Sequence, residues 1–362
     1  PPDVTFTEFT HVNDVCLGPD YMLDSLVYSE SERPIVAQLY GKNPELFYVA
    51  AHVVGELGFD GLDINMGCPS HNVASSGSGA GLIKTPDLAH AIMRAARQGI
   101  IDWVSGQTPE AAGLKPACAV QLQARVQRQN RGLTFPRRLI PLSVKTRLGY
   151  DSIVVEKWIG HLLEERPAAI SVHGRTLQQM YRGEADWAAI SRAARLAQGT
   201  STLLLGNGDV RTMQEAVRRI RESKVQGVLV GRGALGAPWF FRFKERARAA
   251  AWEKERNHVS TLTEADEEVD LDERFHVLLD HARHFEKSCT REGQFRRMRK
   301  HLGWYCKGFP HAAAMRADMF RASSMLDVEQ ILTAYRREPS ANLAHAEQAV
   351  SVEPIPSELA IP

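Results

Sequence analysis

Hydrophobic positions in the first two-thirds of the chain fall into two alternating patterns. Short, nearly continuous apolar runs are "VTFTEF" (4–9), "PIVAQLYG" (34–41), "GLDINMG" (61–67), "LSVKTRLG" (142–149), "AAISVHGRT" (168–176), "STLLLGNGDV" (201–210) and "GVLVGRGAL" (227–235). Between most of them lie segments with apolar residues at i, i+3 and i+4, such as "PELFYVAAHVVGELG" (44–58), "PDLAHAIMRAARQG" (86–99), "IVVEKWIGHLLEE" (153–165), "DWAAISRAARLAQ" (186–198) and "TMQEAVRRIRES" (212–223). The first pattern predicts strands and the second amphipathic helices. Pro44, Pro86 and Asp186 stand where helices start. Continuous apolar strands alternating with helices predict a parallel sheet covered on both faces.

Seven runs are visible, one short of a (β/α)8 barrel. An open doubly wound sheet could stop at seven, but it gathers ligand groups at one switch point. Here every run ends in polar or glycine residues: Glu8, Gln38, Asn65, Lys145 with Arg147, His173 with Arg175, Asn207 with Asp209, and Gly231 with Arg232. That ring-like spread favours a TIM-type (β/α)8 barrel whose N-terminal strand is missing from this chain. The barrel is expected over 1–246, with a surface insertion at 106–138. A polar, then acidic linker follows at 247–272, then a purely helical domain at 273–338. A Pro-, Ser- and Glu-rich flexible tail covers 339–362.

Composition narrows the class. The 362 residues are 44% hydrophobic and 24% charged, as in ordinary globular proteins, and the formal net charge is only +1. Any nucleic-acid affinity therefore needs a local patch. Five cysteines (Cys16, Cys68, Cys118, Cys289, Cys306) at wide, irregular spacing without C-x-x-C argue against a disulfide framework or a zinc site, and for a reducing compartment. No membrane-spanning run and no signal-peptide pattern stand out, so a cytoplasmic location without metal or membrane partners is expected.

The candidate chemistry sits at the strand ends. "GNGD" (206–209) and "GRG" (231–233) are glycine-rich turns before helices, the usual barrel site for a phosphate, or else ordinary turns. "GRGALG" (231–236) matches a dinucleotide fingerprint, but it follows the last strand instead of opening the first βαβ unit, and is set aside. Lys145 and His173 end adjacent strands beside Arg147 and Arg175. Such cations can stabilise the negative charge a flavin gains on reduction. Gln38 could hydrogen-bond a planar heterocycle. Cys68 opens a loop, "GCPSHNVASSGSGAGLI" (67–83), that is rich in small residues and expected to be mobile, a poor place for a packed core thiol. A cysteine near its ordinary pKa is largely protonated at neutrality and can give a proton. His71 is either its neighbour or a surface residue.

The helical region supplies the local patch. Between 291 and 321 the bases are Arg291, Arg296, Arg297, Arg299, Lys300, Lys307, Arg316 and Arg321, against the acids Glu292 and Asp318, a net +6. Trp304, Tyr305 and Phe309 interleave with them. A basic, aromatic-bearing surface suits RNA; a solvated helix face with core aromatics is the plainer alternative.

"DINMGCPS", "SVKTRLG", "VHGRTLQQMYRGEADW", "GNGDV", "VGRGALGAPWFF" and "RMRKHLGWYCKGFP" occur in that order and together resemble the tRNA-dihydrouridine synthases, over about residues 4–336. The resemblance implies a flavin-dependent barrel with a C-terminal tRNA-binding domain; a monomer is the separate expectation. FMN reduced by NADPH would deliver hydride to C6 of a tRNA uracil, and Cys68 would protonate C5. Asn65, Arg147 and Arg175 would face the substrate base, and Arg297, Arg299 and Lys300 the tRNA. Gln38, Lys145, His173, Asn207, Gly208, Asp209, Gly231 and Arg232 would hold the flavin. The family's opening "APM-x-G" strand is absent; the first run here matches the family's second strand. A flavin reductase of a small pyrimidine-like molecule and a non-catalytic RNA-binding barrel are the alternative readings.

Overall fold

The computed structural model of the chain describes residues 1–18, 20–130, 135–252, 269–289 and 293–337. Arg291, Glu292, most of the expected linker and the tail from 339 lie outside the described residues. The chain divides into two compact units. The first takes Pro1–Val210, Glu215–Val230 and the segment from Ala247; the second takes Arg211–Gln214, Gly231–Arg246 and the C-terminal helices. Gly231–Arg246, expected in the barrel, therefore groups with the helical region. No described helix is long and apolar enough to cross a membrane.

The first unit is built on β1 (Thr5–Phe6), β2 (Thr10–His11), β3 (Ile35–Tyr40), β4 (Gly61–Met66), β5 (Leu142–Arg147), β6 (Ala169–His173), β7 (Leu203–Asn207) and β8 (Gly227–Leu229). All pairs are parallel, in the order β1-β3-β4-β5-β6-β7-β8, with β2 also on β3. The architecture is the expected barrel-type α/β sheet. Among the described residues no pairing joins β8 back to β1 or β2. The run at 4–9 is not one strand. Thr5 faces Ile35 but Thr10 faces Leu39, so the edge gains one residue between β1 and β2. That is a bulge. Thr7 fills it, its hydroxyl accepting the Gln38 N–H at 3.0 Å.

The register places like with like across the sheet. Gln38 pairs with Asp63 and Asp63 with Ser143; Asn65 pairs with Lys145, Arg147 with His173, and His173 with Asn207. With side chains alternating at period two, these share one face. The other face carries Leu62, Ile64, Met66, Val144, Ile170, Val172 and Leu204, all fully buried. Burying each of these large aliphatic side chains contributes ~1.5–3 kcal/mol. Helices cover that apolar face: the Trp158 indole of Val155–Glu164 donates to Thr146 Oγ1 at 2.8 Å. Helix starts follow the sequence signals. Asn43 accepts from the Glu45 and Leu46 N–H groups before Pro44–Glu56, and Asp186 accepts from Ala189 before Trp187–Ala197. The described part of the expected insertion includes the helix Pro116–Asn130, held by the Arg125–Asp24 ion pair at 2.9 Å.

In the second unit the helices Leu271–Ser288, Arg299–Tyr305, Ala312–Met319 and Met325–Arg337 bury Phe275, Leu278, Met298, Leu302, Met319 and Val328.

Candidate active site

The C-terminal end of β4 positions Cys68. Asn65 Oδ1 accepts the backbone N–H groups of Gly67 (3.0 Å) and Cys68 (2.9 Å). From the β5 side, Arg147 Nε donates to the Gly67 carbonyl at 2.7 Å. The thiol is buried, with only 4% of the residue exposed. This corrects the expectation that the loop is a poor place for a packed thiol. Gly79–Ile83 are buried, and Gly79 has φ +56, so close to the thiol that a Cβ there would lie 3.1 Å from Cys68 Cβ. The small residues of that loop serve close packing. His71 is exposed at the start of a short helix.

Burial pushes the Cys68 thiol above its usual range, while the Ser70 N–H and the charges of Arg147 and Lys145 pull it down by less. Cys68 is therefore a thiol, not a thiolate, at neutral pH. Lys145 is half-buried on β5. Burial, with Arg147 beside it, brings its ammonium down to about 8. Among the described residues it has no hydrogen-bond or ion-pair partner. Arg147 is buried and brought down to about 10, mainly by desolvation; its Nη1 donates to the Thr176 and Met180 carbonyls at 3.0 and 3.1 Å. No described carboxylate pairs with it. Two cations thus flank a protonated thiol, and Asp63 is a carboxylate whose charge reaches Lys145.

Gln38 and Asn65 are buried and joined, Asn65 Nδ2 donating to Gln38 Oε1 at 2.9 Å. Each amide nitrogen keeps one further N–H. Asp63 and Ser143, which sequence reasoning did not single out, complete this group. The signal was present: Asp63 stands two residues before Asn65, on the same face of the strand.

At the ends of β6 and β7, Asn207 Nδ2 donates to the Leu229 carbonyl at 2.8 Å. Gly208 has φ +127 and lies so near His173 that a Cβ would meet its ring at 3.2 Å. Asp209 has φ +54 and accepts from Arg175 at 2.7 Å and from the Ala185 N–H at 2.8 Å. Arg175, expected at the substrate, is 2% exposed and uses its donors internally: on Asp209, on the carbonyls of Arg182 and Gly183, and against His173 Nε2 at 3.3 Å. It holds the Gly208–Asp209 turn and the His173 ring.

A family model, dihydrouridine synthase (Dus), matches residues 2–106 and 122–339. The chain belongs to the dihydrouridine synthase family. The match leaves out 107–121, a shorter stretch than the 106–138 insertion expected from the sequence. A "probable tRNA-dihydrouridine synthase 2" of Bacillus subtilis is 32% identical over 341 residues, 93% of this chain and 87% of the relative. A "probable tRNA-dihydrouridine synthase" of Staphylococcus aureus is 32% identical over 337 residues, 91% of this chain and 84% of the relative. Among solved structures, DHODH of Eimeria tenella in complex with ferulenol aligns with a TM-score of 0.39 at 16% identity, covering 57% of this chain and 54% of that one.

In the second unit of this family member, the expected RNA-facing residues separate. Arg297 is exposed and Lys300 half-buried. Arg299 instead donates to the Ala322 and Arg321 carbonyls at 2.7 and 2.9 Å, closing a helix end. Tyr305 is buried, its hydroxyl 3.1 Å from His281 Nδ1, and Phe309 packs edge-on against Phe275 and Tyr335. These two aromatics belong to the core. Trp304 is half-buried and lines a cavity of about 380 Å³ with His281 and His301. Burial, reinforced by His281, Lys300 and Arg297, brings His301 down to about 4, so it is neutral at pH 7. Gly231 precedes the short turn Arg232–Ala234.

Proposed function

We propose that this protein reduces uridine in tRNA to 5,6-dihydrouridine, with FMN as its flavin and NADPH as reductant. The first unit is the flavin-binding part and the C-terminal helices are the tRNA-binding part. The observation that carries the reading is the buried, protonated thiol of Cys68 at the end of β4, flanked by Lys145 and Arg147 on β5.

The residues of the first unit fit a flavin. The Lys145 ammonium, cationic below about pH 8 and without a hydrogen-bond acceptor among the described residues, suits the acceptor edge of a flavin ring. Gln38 offers its remaining N–H at the same face, and the 207–209 turn presents backbone to a phosphate. FMN, when bound, supplies the hydride that reaches C6 of the uracil.

Cys68 donates the proton to C5 and returns as a thiolate that Lys145 and Arg147 stabilise until it is reprotonated. The Arg147 guanidinium and the spare N–H of Asn65 hold the carbonyls of the base. The uridine leaves its stack to enter, as base-modifying enzymes require.

The test is direct. The purified protein, given unmodified tRNA and NADPH, forms dihydrouridine detectable by nucleoside mass spectrometry, and forms none from free uridine. Equal turnover of free uridine would replace the tRNA reading with the small-molecule one.

The tRNA surface makes a separate prediction. Arg297→Ala and Lys300→Ala each weaken tRNA binding and reduce the slope of log K against log salt by roughly 0.7–0.9 for each phosphate no longer neutralised. Arg299→Ala lowers the stability of the helical unit instead, because its donors close a helix end. Filter binding across a salt series, with thermal melts alongside, separates the two; an unchanged slope removes Arg297 and Lys300 from the interface.

A further inference from the structure

Four polar side chains link strands β3, β4 and β5 into one directed chain of hydrogen bonds. Ser143 Oγ donates to Asp63 Oδ1 at 2.5 Å, and Gln38 Nε2 donates to Asp63 Oδ2 at 2.8 Å. Gln38 Oε1 then accepts from Asn65 Nδ2, and Asn65 Oδ1 accepts from the N–H groups of Gly67 and Cys68. Asp63, Gln38 and Asn65 are all buried, so water does not compete for these bonds.

An amide has one donating and one accepting end, and either end could point either way. An ionised carboxylate has only acceptors. Gln38 must therefore turn its nitrogen to Asp63, which leaves its oxygen for Asn65. Asn65 must then turn its nitrogen to Gln38, which leaves its oxygen for the backbone of Gly67 and Cys68. Reversing either amide would set donors against donors at a buried site. The direction chosen at Asp63 is read out at Cys68.

We propose that Asp63 is a positioning residue for the Cys68 proton donor, setting through Gln38 the orientation of the Asn65 amide that pins the Gly67–Cys68 backbone. This rests on Cys68 being the acid of the proposed reaction. Lys145 is the charged group that acts on Asp63; burial pushes the Asp63 carboxyl up to about 6 against the pull of Ser143, Gln38 and Lys145. It is ionised, and the direction is set, at neutral pH.

Moving the carboxylate tests this. In Gln38→Glu a second carboxylate faces Asp63 across the former 2.8 Å bond, and exchange is read at alkaline pH, where the pair has given up the proton it otherwise shares and two acceptor-only groups are opposed. In Gln38→Glu with Asp63→Asn the new amide at 63 donates to the new carboxylate at 38, which still accepts from Asn65. Every donor again meets an acceptor. The readout that needs neither tRNA nor nucleotide is hydrogen exchange at the Gly67 and Cys68 amides of the full chain.

Gln38→Glu is expected to speed exchange at those two amides by about tenfold or more while the β4 ladder stays protected. Asp63→Asn, isosteric and undirected, falls between. The double variant returns to within about threefold of wild type, better than either single change. A merely structural role would raise exchange along the whole of β4 and would not be rescued by a second substitution. Unchanged exchange in Gln38→Glu overturns the proposal. So does a double variant less protected than Asp63→Asn, or one that fails to fold where Asp63→Asn folds. Exchange that behaves as expected while tRNA reduction is absent even in wild type overturns the proposed function and leaves the relay; exchange loosened in Asp63→Asn with dihydrouridine formation unchanged overturns the link to Cys68.

Discussion

Cys68→Ala lowers dihydrouridine formation by about 100- to 10,000-fold, the range that a positioned general acid supplies. The thiol suits this role because it is buried and keeps its proton at neutral pH. Of the two cations beside it, Lys145 lies one strand away and Arg147 gives up its proton only near 10. Cys68→Ser is expected to be nearly as inactive, since a hydroxyl is a far weaker acid than a thiol. The rate also depends on pH in a stated direction. Loss of the thiol proton removes the acid, and loss of the Lys145 charge at about 8 acts the same way, so activity declines on the alkaline side. Flavin absorbance and melting temperature should stay near wild type in both variants. A Cys68→Ala protein retaining more than about a tenth of the wild-type rate would remove Cys68 from proton transfer.

Arg175→Met destabilises the first unit by ~3–5 kcal/mol, the usual result of breaking a buried ion pair by removing one member. Asp209 loses the guanidinium from its carboxylate, which still accepts the Ala185 N–H, and keeps a backbone at φ +54 that an aspartate adopts only when its surroundings enforce it. The carbonyls of Arg182 and Gly183 and the His173 ring lose their donor at the same time. For a unit of this size the melting temperature falls by roughly 6–20 °C. Arg175→Lys recovers little, because one ammonium does not reproduce a planar fork that meets several acceptors. Denaturant melts of the whole protein measure the loss; a change below about 1 kcal/mol would mean that the Arg175–Asp209 pair contributes no more than a surface salt bridge.

Much of the fold was legible because its signals are local. Alternating apolar runs and i, i+3, i+4 segments lie within windows of about 5 to 15 residues. Helix starts at Pro44, Pro86 and Asp186 depend on one or two neighbouring residues. The strand-end position of Asn65, Lys145, Arg147, His173 and Asn207 followed from the same local reading. The bulge between β1 and β2 did not, since it exists only relative to β3.

The sequence alone determined the alternation of elements, the end of the sheet that bears the chemistry, and Cys68 as the group to question. Tertiary structure decided what surrounds each of those groups. Asp63 reaches Gln38 across 25 residues and Ser143 across 80, and these contacts are set by strand register. Arg175 and Arg299 read alike along the chain, as basic residues beside functional motifs. Each instead satisfies carbonyls brought to it by a turn or a helix end. Burial of the Cys68 thiol likewise depends on where Gly79 and its neighbours fold back. Hydrogen bonding and desolvation act over a few ångströms in space, whatever the separation along the chain, so which polar group is buried and which partner it meets emerges only once the strands are in register.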